Sequence, residues 1–199
     1  MDNDTKVMLS LGELAIANDK NIILTKKAII EKAAALFNNQ IPVITNVFKE
    51  FVKNDEQLIA AIPKISKGEN YNGFPYLLMD YPTVFGKENI FAIRTMFWWG
   101  NFFSITLHLK GMYKEMFTHQ ILSNVNASDG FYIFMGENEW HHHFEDNYLK
   151  IAEISEILKH KIVESSFLKI ALKYELHHWN MMQSLLPEGY KKIINLFKV

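Results

Sequence analysis

Apolar positions recur with a helical period at both ends of the chain and with a strand period in the middle. Near the start, Asp4 is placed to cap a helix carrying Val7, Leu11, Leu14 and Ala15, with Gly12 weakening it. Thr25 is placed to cap a second helix over 26–38. Pro42 then interrupts, and suits the first turn of a third helix, where its missing N–H costs nothing. That helix carries Val43, Ile44, Val47, Phe48, Phe51 and Val52, the paired stripe of an amphipathic helix. A short helix over 55–62 is stopped by Pro63.

From Lys67 the pattern changes. "KGENYNGFP" is turn chemistry. The runs "YLLMDY", "IFAIRTMFWW", "FFSITLHL", "FYIFM" and "WHHHF" are rich in aromatic and β-branched residues and predict about five strands. A helix near 112–122 separates the third run from the fourth, and Asp129–Gly130 forms a turn. The last quarter returns to helix. Asn147 is placed to cap one with Ile151, Ile154, Leu158 and Ile162, and Ser165 or Ser166 another that ends near Pro187. A final helix carries Tyr190, Ile193, Ile194 and Phe197. Helices at both ends and strands between them predict a single α+β domain over 1–199, because a parallel sheet needs alternating β and α units. The sheet is expected to be antiparallel.

Composition narrows the classes. The chain has 199 residues, 49% hydrophobic and 22% charged, which is the mix of a folded globular protein. It contains no cysteine, so disulfides, thiolate metal sites and thiol nucleophiles are excluded. With 21 basic and 22 acidic residues and no basic block, no nucleic-acid footprint is visible. The start reads as no secretory signal, and the apolar runs fall short of the roughly 20 residues of a membrane helix. The expectation is a soluble cytoplasmic protein.

Three stretches carry candidate chemistry. In "FWWGNFF", a two-residue turn at Gly100–Asn101 sets Trp98 opposite Phe103 and Met96 opposite Ile105. Arg94 then falls on the apolar face, where a guanidinium needs a partner. The other face carries Thr95, Ser104, Thr106 and His108, which read either as one side of a covered sheet or as the floor of a small-molecule pocket. In "SSFLKIALKYELHHWNMMQSLL", a helical wheel brings Glu175 and His178 inward, as a buried hydrogen-bonded pair or as an acid–base pair. Arg94 is the natural partner of Glu175. Glu-x-x-His is also a di-iron ligand spacing, but such sites need a second copy on another helix plus further glutamates, and no second helical copy is found.

The third stretch is "EWHHHFED". A hairpin turning through residues 136–139 sends Trp140, His142 and Phe144 to one face of a return strand, and Glu139, His141, His143 and Glu145 to the other. Alternate histidines on a strand can grip one ion, with a carboxylate as third ligand. The same alternation is that of a half-buried strand. No cofactor is expected apart from a divalent metal at this face. The chain has no His-Glu-x-x-His, no Gly-rich phosphate loop and no Gly-x-Ser-x-Gly elbow. A non-catalytic protein that binds a small molecule or a protein partner is therefore expected first. A hydrolase with a histidine–carboxylate centre, metal-dependent or not, is the alternative, and self-association is compatible with either.

Overall fold

The structure is a computed structural model and describes residues 7–53, 55–145 and 147–198. Its strands are β1 (Lys64–Tyr71), β2 (Phe74–Phe85), β3 (Ile90–Trp98), β4 (Phe102–Lys110), β5 (Tyr132–Phe134), β6 (Tyr148–Lys150) and β7 (Phe167–Glu175). They form one seven-stranded sheet in the order β1-β2-β3-β4-β7-β5-β6. Every pairing in it is antiparallel. The helices are α1 (Leu11–Asn18), α2 (Lys20–Val52), α3 (Glu56–Ile59), α4 (Met112–Asn124), α5 (Glu156–Glu164) and α6 (Met182–Asn195). The α+β class and the antiparallel sheet are as the sequence predicts, with seven strands in place of about five. No helix among the described residues is long and apolar enough to cross a membrane.

Strand alternation gives the sheet two unlike faces. On the first face, Phe91, Ile93 and Phe97 of β3, Phe103, Ile105, Leu107 and Leu109 of β4, and Leu168, Ile170 and Leu172 of β7 are buried in one core. Against them pack Phe37, Ile44 and Phe48 of α2, Tyr113 and Ile121 of α4, and Leu186, Tyr190 and Ile193 of α6. The second face carries no helix of this core. It is crossed by residues 136–145, the long loop of the β5–β6 hairpin, referred to here as the strap.

Several local expectations change. Asp4 lies outside the described residues. Ser10 caps α1 through a capping box with Glu13. Asp19 rather than Thr25 caps α2. Pro42 sits inside α2, not at a new helix start, because its buried positions Ala33, Phe37, Gln40, Ile44 and Phe48 continue one stripe through it. The β3–β4 connection is one residue longer than expected. Asn101 N–H donates to the Trp98 carbonyl at 3.0 Å, and Gly100 takes φ 73° at the third turn position, which needs positive φ. Trp98 therefore faces Phe102, and Met96 faces Ser104. The residues of each strand sort together as expected, but the two sets exchange partners. A one-residue slip in register does that.

Two larger corrections concern the last third. Residues 167–175 are strand β7, not helix, paired with β4 along their whole length from Phe167↔Lys110 to Glu175↔Phe102. Residues 140–144 are not a strand. The hairpin that begins at β5 returns at β6, closed by Met135 N–H donating to the Asn147 carbonyl at 2.7 Å. Asn147 thus caps no helix; Ser155 caps α5.

Candidate functional site

The second face of the sheet brings together most of the chemistry-bearing residues singled out in the sequence. Register places Asp80 (β2), Arg94 (β3) and Thr106 (β4) in one row, and His108 (β4) beside Lys169 (β7) in the next. The strap lies over these rows. Asp80, Thr106, His108, Lys169 and, from the strap, His142 are all buried.

Arg94 makes a two-pronged pair with Asp80, Nε to Oδ1 at 2.8 Å and Nη2 to Oδ2 at 2.9 Å. Its Nη1 lies 3.1 Å from Nε2 of His142. A guanidinium can only donate, so His142 Nε2 accepts and the ring proton sits on Nδ1. His142 is therefore neutral. Burial, then the charges of Lys169 and Arg94, hold its imidazole well below the usual range. Its Nδ1 has no hydrogen-bond partner among the described residues, and neither has Ser104 Oγ.

Glu139 anchors the start of the strap. One carboxylate oxygen takes Lys110 Nζ at 2.8 Å and the other lies 3.2 Å from His108 Nε2. Burial first, and then the positive charges of Lys169, Arg94 and Lys110, push His108 down to about 3. Lys169 is 0% exposed. Its ammonium donates to the carbonyl of Glu139 at 2.9 Å and to that of His141, and lies over the Phe134 ring at 4.8 Å. Burial and then Arg94 push Lys169 down to about 7, with Glu139 pulling it back upward.

The far half of the strap is held by Tyr71 of β1. Its hydroxyl accepts the His142 N–H at 2.6 Å and lies 2.9 Å from His143 Nδ1. Asn72 Nδ2 lies 3.3 Å from the same nitrogen. An amide nitrogen only donates, so His143 Nδ1 is the acceptor. By the same argument His141 Nε2 accepts from Asn138 Nδ2 at 3.0 Å. These side-chain partners explain why the strap is not a strand: its backbone groups at 139, 141 and 142 bond to Lys169 and Tyr71 instead of a ladder.

His141 and His143 do come together, their ring centroids 4.7 Å apart. Glu139 faces His108 and Lys110 instead of them. Glu145 lines a groove of about 280 Å³ at the strap's end, with Lys173, Trp98 and Phe102. Among the described residues no group of three or more histidine, aspartate or glutamate side chains is arranged to hold a metal ion.

The other candidates lie apart from this cluster. Thr95 is on the first face, its hydroxyl 2.9 Å from that of Tyr190. Glu175 ends β7 and pairs with Lys173 at 2.9 Å. It lies four residues along the strands from the Arg94 row, roughly 13 Å. The expected Arg94–Glu175 contact does not form, because it was built on a helix where the chain is strand. His178 follows β7 in a short 3-10 turn, its ring 3.9 Å from that of His177.

Asp80, Lys169, Tyr71 and Lys110 are the members that sequence reasoning missed. The signal for the first two was a charged residue in phase with one face of an apolar run, "YLLMDY" and "FLKIALK". A scan against protein-family models, a search of curated proteins and a search of solved structures each found no match for this chain.

Proposed function

We propose that this is a non-catalytic binding protein that holds a small anionic molecule on the second face of the sheet, beneath the strap. One observation carries the reading. Lys169 is fully buried on that face, yet among the described residues its ammonium hydrogen-bonds only to backbone carbonyls, and the carboxylate that offsets its charge, Glu139, belongs to the strap. Without the strap, the cluster on the sheet consists of Arg94, Lys110 and Lys169 against Asp80. Buried charge that is not compensated is costly. The strap's carboxylate and carbonyls supply the compensation in this structure, and carboxylate or phosphate oxygens of a ligand offer the same chemistry. The Nδ1–H of His142 and the hydroxyl of Ser104 are further donors for such a ligand.

The hydrolase reading has weaker support. His108 and Glu139 form the one histidine–carboxylate contact among the described residues. With a value near 3, His108 has no proton to give at neutral pH and is a weak base. A metal at His141 and His143 would have to displace the donors that Asn138 and Tyr71 direct at their lone pairs.

The test is thermal unfolding in the presence of inorganic phosphate, citrate and acetate, with isothermal titration of any anion that stabilises. Ligand that binds only the folded state raises the midpoint. At least one anion is expected to do so, Lys169→Met to abolish the shift, and Glu139→Gln to strengthen it by removing the competing carboxylate. Absence of any shift in all three proteins, or a shift that Lys169→Met leaves intact, overturns the reading.

A further inference from the structure

Helix α1 has no buried residue, although Leu11, Leu14, Ala15, Ile16 and Ala17 make it apolar on most sides. A helix that is hydrophobic all round belongs inside something. The exposure continues on both flanks. Among the described residues, nine of the eighteen exposed large apolar side chains lie between Val7 and Leu24, among them Val7 at 81% and Leu11 at 87% exposed. The buried stripe of α2 begins only at Ala33. The first residues of the described chain thus form an apolar arm that no other described residue covers.

Beside the root of the arm is a groove of about 540 Å³. Ile22 and Thr25 of α2 form one wall, and Pro75 and Trp99, from the turn ends of β2 and β3, form the other. We propose that the arm is a self-association device: α1 of one copy fills the Ile22–Pro75–Trp99 groove of a second copy, and the second copy's arm fills the first. Such an exchange is isologous and closes as a dimer.

Area selects this occupant. The nine side chains leave on the order of 1,000 Å² of accessible surface, against the roughly 800 Å² that each partner of a standard interface buries. Arm and groove belong to the same end of the molecule, so one two-fold axis satisfies both contacts. Glu13 lies on the arm and Lys20 at the start of α2, while Asp19 and Lys26 both line the groove, Lys26 bridged to Glu69 of its own chain. A membrane surface suits the arm less well, because interfacial helices carry a basic polar face. The only charged residue within α1 is Glu13.

Sedimentation equilibrium and light scattering on the full chain test the proposal. The native protein is expected to be a dimer. Leu11→Asp combined with Leu14→Asp, and separately Ile22→Asp, are expected to give monomers with unchanged circular dichroism, since all three side chains are exposed. Mixing the arm variant with the groove variant restores one intact arm–groove contact, so a heterodimer is expected from two monomeric parents. A native chain that is monomeric at every concentration overturns the proposal, whether or not it binds phospholipid vesicles or another protein. So does a dimer that survives the arm substitutions, or a mixture that stays monomeric.

Discussion

Lys169 sets the clearest pH signature at the scale of single residues. Folded, it titrates at about 7; unfolded, it returns to the ordinary 10.5. Between those values the unfolded chain holds a proton that the folded chain has released, so stability rises with pH across that window. His108 acts on the acid side with the same sign: its folded value of about 3 lies below 6.5, so stability falls as pH drops from 6.5 toward 3. Urea unfolding is expected to show a free energy that climbs from pH 7 to 10, and Lys169→Met is expected to flatten that climb. A native protein with no slope there would mean that Lys169 keeps its charge in the folded state. The demand of Arg94 for a partner was legible from its place among apolar neighbours. That the partner is Asp80 was not, because residues 14 apart meet only through the register of β2 against β3.

Among the elements, α2 runs 33 residues with Pro42 inside it. Proline has no N–H to give the carbonyl of Asn38, and its ring crowds that turn, at a cost of about 3 kcal/mol in an ordinary helix interior. The helix continues because the buried stripe on either side of Pro42 packs into one core. Pro42→Ala is therefore expected to stabilise the protein, by up to about 3 kcal/mol, measured by urea denaturation; destabilisation would show that the proline shapes the helix to the sheet. Strand β7 teaches a different lesson. "FLKIALKYE" satisfies a helical wheel and a two-residue alternation about equally well. What decides it is β4, whose nine residues offer a complete ladder of backbone partners. A sequence pattern records which side chains are buried, not which backbone groups await a partner.

Over the whole molecule, helices cover one face of the sheet and the strap covers the other. The first face is sealed by interdigitated apolar side chains. The second is closed by hydrogen bonds between one loop and Lys169, Lys110 and Tyr71, and by small aromatic clusters that take in Phe144 of that loop. A loop held by a few polar contacts and small aromatic clusters opens at lower free energy than the main core. Hydrogen exchange is expected to be faster in 136–145 than in β3, β4 and β7; equal protection would mean that the strap opens only with global unfolding.

The sequence by itself determined the class of the protein. Period and composition sufficed for the helical ends, for β2, β3, β4 and β5, for an antiparallel sheet and for the exclusion of thiol chemistry, because burial of apolar side chains is written locally. It also held the histidines and carboxylates of the candidate site. Only the tertiary structure decided how they combine. A three-residue turn in place of two carried Arg94 to the face of Ser104, Thr106 and His108. The pairing of β7 with β4 delivered Lys169 beside His108. The closure of the hairpin at β6 left the three histidines free of any ladder, to lie on that face as a strap. Each of these depends on backbone pairing between segments far apart in the chain, which no local pattern encodes.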